Sequence, residues 1–276
     1  MSDRKILIGK YIALIMFLLF IITPFMWILY SSFRTEASLF SGQFFAGGLT
    51  LKHYSNVLGA GQTGQFKTYF LNSFIIASIS TVVVVILSLL GAYALSRFKM
   101  KFKDGIILSL LSANMFPRVL LLIPLFGVLF DLQLIDSYIG IIITHIILGL
   151  PFGLWLVKGY FDSVPKELDE AAKIDGLGPI GILFKIIVPI TAPGMVVAGF
   201  YAFMVSWGDY LFSSVISQSL STQTLPIGLN KFFGSSQIQW GSINAAVVIT
   251  IIPTIILFSV LQKWIVEGLA SGAVKG

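Results

Sequence analysis

Apolar residues run almost unbroken near positions 11–33, 70–95, 105–128, 138–161, 190–212 and 242–263, and the polar and charged residues gather between these runs. At about 1.5 Å of rise per residue, each run is long enough as a helix to cross a hydrocarbon core about 30 Å thick. The pattern therefore predicts an all-α membrane protein with six transmembrane helices. Barrel strands are excluded, because they span with about ten residues and alternate in polarity. No low-complexity linker interrupts the chain, so residues 1–276 read as a single transmembrane domain. Three polar intervals stand out: 34–69, 162–189 and 213–241.

Composition agrees with the pattern. Hydrophobic residues make up 57% and charged residues 11%, with a mean hydropathy of +0.94, where soluble domains are roughly half apolar. Basic residues precede the first run, as in a signal peptide, but the run exceeds the ~7–15 apolar residues of such a signal and ends in Trp27, Tyr30 and Phe33. It is expected to remain as the first helix. The chain has no cysteine, which excludes disulfides and thiolate metal sites. No metal site is expected.

The net charge of +6 is explained by topology. Lysine and arginine concentrate at Arg4, Lys5 and Lys10, at Arg97, Lys99, Lys101 and Lys103, at Lys158, Lys166, Lys173 and Lys185, and at Lys263 and Lys275. The opposite side carries Arg34, Lys52, Lys67 and Lys231. The positive-inside rule then places both termini and the 162–189 interval in the cytoplasm. No nucleic-acid motif accompanies the charge. A Gly-x-x-x-x-Gly-Lys-Ser/Thr loop and a His-Glu-x-x-His pair are both missing from the sequence, so neither ATP binding by a P-loop nor zinc-protease chemistry is expected of this chain, and no catalytic residue is assigned.

The 162–189 interval is the one with a water-side task written into it. Ser163 and Pro165 signal a helix start, Glu167, Asp169 and Glu170 place negative charge where the helix dipole favours it, and Gly176 supplies a stop with φ > 0. Leu168, Ala171 and Ala172 share one face of this helix by their spacing, leaving it almost without bulk. Glu170 and Asp175 offer carboxylates to a basic partner. A helix lying on lipid would instead carry Lys and Arg on its polar face.

Ionisable groups inside the apolar runs are costly and therefore informative. Arg118 falls near the middle of the third run between Pro117 and Pro124, and is expected to face the bundle interior. It serves either as a hydrogen-bond fork for a substrate or as a clamp to a neighbouring subunit or to Asn114 one turn earlier. His145 reads as a neutral, hydrogen-bonded packing residue, since no acid lies near it in sequence and no buried acid is expected. Trp207-Gly208-Asp209-Tyr210 falls toward the outer end of the fifth helix, where an acid and two aromatics suit either a polyol or an interfacial belt. Asn114, Arg118, Trp207 and Asp209 are the candidate substrate path. The outer intervals, with Gly47-Gly48, Gly59-Ala60-Gly61, Pro226 and Trp240, either touch a delivered substrate or merely connect helices.

Glu170-Ala171-Ala172, Gly176, Ile186 and Pro189 together resemble the coupling loop of ABC-importer permeases, with Val188 where the family has leucine. Further similar segments are Gly91-Ala92-Tyr93-Ala94-Leu95-Ser96-Arg97, Met115-Phe116-Pro117, Ile123-Pro124-Leu125-Phe126 and the tail from Gly268 to Gly276. The chain is thus similar to carbohydrate-uptake permeases of the maltose-transporter type. Trp207-Gly208-Asp209 departs from that family's Trp-Asn-Glu/Asp, and Ala270-Ser271 stand where its tail has Thr-Ala. The resemblance implies a non-catalytic inner-membrane subunit that pairs with a second permease, two cytoplasmic ATPases and an external sugar-binding protein. It implies that ATP and magnesium bind the ATPases, that Glu170, Ala171, Ala172, Asp175, Gly176 and Pro189 dock them, and that the tail from Ala270 reaches toward them. The competing reading is a secondary transporter of a small polar solute, which would need buried acids or histidines as ion relays.

Overall fold

The computed structural model describes residues 2–41, 48–59, 65–234 and 238–273. Gly47, Ala60 and Gly61 of the outer interval and residues 274–276 of the tail lie outside the described residues. The chain is helical, with no strand among the described residues. It groups into two compact units, one of Met1–Lys67 with Gly228–Ile252 and one of Thr68–Ile227 with Pro253–Gly276.

In the first unit, α1 (Ser2–Ser32) is followed by two short helices, α2 (Glu36–Leu39) and α3 (Lys52–Leu58). The apolar side chains along most of α1 are exposed, as suits a helix whose surroundings are lipid or another subunit. Arg34 is buried and donates from Nη2 to the Ser38 carbonyl at 2.6 Å. His53 holds the Arg34 carbonyl with Nε2 at 2.8 Å and meets Ser242 Oγ with Nδ1 at 3.3 Å.

In the second unit, α4 (Phe66–Arg97) leads to α5 (Lys103–Met115) and α6 (Arg118–Asp131), and α7 (Tyr138–Ser163) is capped by the Ser137 hydroxyl, which accepts from the Gly140 N–H at 3.1 Å. After α8 (Lys166–Ile174), a helical run starts as α9 (Pro179–Ile182), passes through a π-helical turn at Leu183–Ile187 and continues as α10 (Val188–Trp207). The short α11 (Leu211–Ile216) follows, and α12 (Leu225–Lys231) and α13 (Trp240–Ala273) close the order. Gly149 and Gly153 of α7 form a small-residue stripe, and a β-carbon on Gly153 would stand 3.0 Å from Ser88 Oγ of α4. Such stripes let helices approach closely where lipid gives no hydrophobic drive for packing. On the other flank, a β-carbon on Gly194 of α10 would fall 2.2 Å from the Tyr160 ring. Buried Leu89, Val157, Phe161, Ile182, Ile187 and Ala198 form one core, and Ile76, Leu129, Ile141, Leu148 and Phe212 a second.

Among the described residues five helices are long and apolar enough to cross a membrane, and α5 with α6, bent by 103° at their junction, bring the number to six where the pair counts as one span. The predicted third span at 105–128 is therefore broken. Pro117 has no N–H, and Phe116 before it is held at ψ 135°, outside the helical region, by the proline ring. The predicted fifth span at 190–212 also shifts, because the helical run begins at Pro179 and ends at Trp207. The irregular part of the 162–189 interval shrinks accordingly to α8 and its flanks. Proline at the first helical position needs no intrahelical donor, which explains the early start at Pro179.

Candidate functional site

The site is α8 and what holds it. Pro165 precedes its first turn, Glu167 and Asp169 sit in that turn, and Lys173 in its last. Its end is a Schellman turn: the Leu177 N–H donates to the Ala172 carbonyl at 2.9 Å and the Gly176 N–H to the Lys173 carbonyl at 3.0 Å. Gly176 takes φ 83°, as its place after the helix predicts.

The face that α8 turns inward is not the one expected. Ala172 is 4% exposed and packs with Phe161, Val164 and Ile182 in the core, while Leu168 and Ala171 are exposed. Ala172 is thus unavailable to a partner, although it adjoins Ala171. A helix turns by about 100° per residue, so adjacent positions cannot share one line of contact. Glu170, Ala171, Ile174, Asp175 and Gly176 remain on the surface, with Ile174 88% exposed. Pro189 is exposed too, but it lies in α10 and not in a loop.

Asp169, read from the sequence only as negative charge in the first turn, anchors the helix. Its Oδ2 stands 2.7 Å from Arg97 Nε, and both side chains are nearly buried. Arg97 Nη2 donates to the Val164 carbonyl at 3.0 Å, and Arg97 Nη1 to Ser96 Oγ at 3.3 Å. Ser96 Oγ in turn donates to Asp162 Oδ1 at 2.7 Å, and Lys158 donates to the other oxygen of the same carboxylate. Tyr93 donates its hydroxyl to the Pro179 carbonyl at 3.0 Å. One guanidinium therefore joins the end of α4, the α7–α8 connection and α8 itself. The only hint in the sequence was the run ending in Arg97; nothing in it named the partner.

At the other end of α10, Asp209 is 9% exposed, so the expectation of no buried acid fails. His145 Nε2 lies 3.3 Å from Asp209 Oδ2, and Ser206 Oγ 2.6 Å from His145 Nδ1. The Ser213 hydroxyl and N–H donate to Asp209 Oδ2 at 2.9 and 2.8 Å. Asp209 thereby ties down the start of α11, where the first N–H groups lack helical partners. Ser206 and Ser213 flank Asp209 at helical spacing, which was the available signal. Trp207 is buried, stacked on Phe203 with centroids 5.5 Å apart and edge-on to Phe70 at 5.5 Å. Both residues have structural partners. Asn114 and Arg118 sit on either side of the α5–α6 break, both exposed, with Arg118 the first residue of α6 and not inside a continuous helix.

Outside the spans, Asp136 pins two connections together. Its Oδ1 accepts from the Gln218 and Ser219 N–H groups, each at 2.9 Å, and from the Thr222 hydroxyl, while its own N–H donates to the Ile216 carbonyl at 2.9 Å. Slight burial raises its pKa, but the hydrogen bonds outweigh it and hold the carboxyl at about 2, below the ordinary 3.8.

Residues 85–271 match the family model described as "Binding-protein-dependent transport system inner membrane component". The chain is 38% identical to the inner membrane ABC transporter permease protein YcjP of Escherichia coli over 98% of its length and 96% of that protein. It is 35% identical to the trehalose/maltose transport system permease protein MalG of Thermococcus litoralis over 92% of its length and 91% of that protein. In fold it is similar to a chain from the crystal structure of a bacterial ABC transporter involved in the import of the acidic polysaccharide alginate. That match has a TM-score of 0.81 at 24% identity and covers 96% of this chain and 98% of the other.

Proposed function

The chain belongs to the binding-protein-dependent transport system inner membrane components and is a permease subunit of such an importer, and from that premise we propose that α8 is the surface through which a cytoplasmic ATPase drives it. The observation that carries this is the exposed face of Glu170, Ala171, Asp175 and Gly176 on a helix clamped from behind by Arg97. The exposed positions combine little bulk with two carboxylates, which suits docking into a basic-rimmed cleft.

The clamp supplies the mechanism. Because Arg97 reaches Asp169 and the Val164 carbonyl together, α8 cannot shift without carrying the ends of α4 and α7. Closure of the ATPases on ATP and magnesium, which they bind, would thus be delivered to the spans as displacement. In this reading both termini are cytoplasmic, a second permease completes the path, and an external binding protein delivers the substrate. The substrate class is carbohydrate, supported by the trehalose/maltose permease at 35% identity. Asn114 and Arg118, at the broken third span, are the polar groups proposed to meet it, since backbone freed at a membrane break is tolerated where it faces protein or a water-filled cavity.

The His145–Asp209 pair is the kind of buried group an ion-coupled carrier would use. Its atoms are bonded to Ser206 and Ser213 and to the start of α11, and we give it that structural role. Co-purification tests the proposal: with the ATPase co-expressed, Glu170→Lys should release it or uncouple hydrolysis from uptake while the permease stays in the membrane, and Lys185→Ala should not. Retention of assembly and coupling in Glu170→Lys would remove α8 as the docking surface.

A further inference from the structure

We propose that a cleft between the α4–α5 connection and α8 binds the headgroup of an anionic phospholipid. Residues 97–103 read Arg-Phe-Lys-Met-Lys-Phe-Lys, a strict alternation of basic and apolar side chains. Between the end of α4 at Arg97 and the start of α5 at Lys103 this stretch is not helical. The connection bends at Phe98 and turns at Lys101-Phe102, with Phe102 at φ 63° in the left-handed region, so the turn brings the basic side chains together and Phe98 and Met100 line the cleft beside them. Lys99, Lys101 and Lys103, joined by Lys166 and Lys173 of α8, line a cleft of about 710 Å³. Phe98, Met100 and Phe102 between them are exposed, Phe102 by 80%.

The charge of the cleft is unbalanced. Arg97 is spent on Asp169, which leaves Glu170 as the only acid facing the five lysines that line it. The ammonium groups of Lys99, Lys101, Lys166 and Lys173 make no hydrogen bond or ion pair among the described residues. A pocket of this volume, rimmed by free ammonium groups, fits a small anionic group.

The apolar half of the alternation decides which anion. A soluble phosphate has no use for exposed phenylalanines, whereas a lipid presents a phosphate and acyl chains together at the end of a span. Basic pockets at the cytoplasmic ends of spans collect acidic headgroups on this principle. The leaflet assignment rests on the topology proposed above; the cleft and its occupant do not depend on the ATPase.

The test uses the full-length permease alone in detergent, with bound phosphatidylglycerol and phosphatidylcholine counted by native mass spectrometry. Phosphatidylglycerol is expected to be retained in preference. Lys99→Gln with Lys101→Gln should weaken that retention about 30-fold, from roughly one lysine's worth of surface attraction each. Phe102→Ser should weaken it as well, and Lys185→Gln should leave it unchanged. Equal retention of both lipids, or no effect of the lysine changes, overturns the proposal. So does full displacement by inorganic phosphate together with indifference to Phe102→Ser, which would make the cleft a soluble-anion site. Loss of ATPase co-purification in the lysine variants with lipid retention intact would assign the cleft to an acidic protein segment instead. Asp175→Lys separates the two readings, since Asp175 is on the proposed docking face and does not line the cleft, so failure of ATPase docking there leaves the lipid count untouched.

Discussion

Arg97 is the side chain on which the position of α8 rests. Replacing it with leucine would leave the Asp169 carboxylate nearly buried and unpaired, and breaking such a pair from one side costs about 3–5 kcal/mol. Arg97→Leu is therefore expected to expose α8 to protease and lower the unfolding temperature, and Arg97→Leu with Asp169→Leu should recover much of the loss, because no charge is then stranded. A double variant no better than the single would show that the ion pair is not what holds the helix. Asp136 gives a pH-dependent counterpart. Its folded pKa of about 2 lies below the ordinary 3.8, so its stabilisation is complete above about pH 4 and is lost as pH falls toward 2. Hydrogen exchange of the Gln218 and Ser219 amides should quicken over that window and should be fast at all pH values in Asp136→Ala.

At the scale of elements, the turn that ends α8 is a matter of backbone geometry. With φ at 83°, Gly176→Val forces a β-branched residue into the left-handed region at about 1–2 kcal/mol, while Gly176→Asn tolerates it better. Its two chain neighbours aside, no atom of the described residues lies within 4 Å of the position a β-carbon would take, so the strain is that of the backbone. ATPase co-purification is expected to fall further with valine than with asparagine; equal loss would point to bulk against the partner. The third span makes a separate prediction. If Arg118 lines the path, Arg118→Ala should abolish uptake with assembly intact, and normal uptake would remove it from the path.

These elements also show what the sequence could reveal. The spans and the turn at Gly176 were legible, because long apolar runs and a glycine after an acidic helix have one physical meaning each. The break at Phe116–Pro117 was not, since the apolar run continues across it and hydropathy carries no information about φ and ψ. Of two adjacent alanines, only packing decides that Ala172 goes inward. His145 lies on α7 and Asp209 in the connection between α10 and α11, far apart in sequence, so their meeting required the fold.

For the whole molecule, the central claim is that one exposed helix passes force from an ATPase to the spans. The chain contains no cysteine, so a single introduced thiol reports on one place without interference. Ala171 is exposed, small and on the proposed docking face, and Ala171→Cys changes little else. The decisive measurement is maleimide labelling of Ala171→Cys in membranes, with and without the co-expressed ATPase, beside Ser214→Cys on the exposed surface of α11. The account predicts that the ATPase protects position 171, that a bifunctional reagent joins it there to the ATPase, and that position 214 reacts alike in both cases. Unchanged labelling at 171 in a complex that still hydrolyses ATP and transports would contradict it.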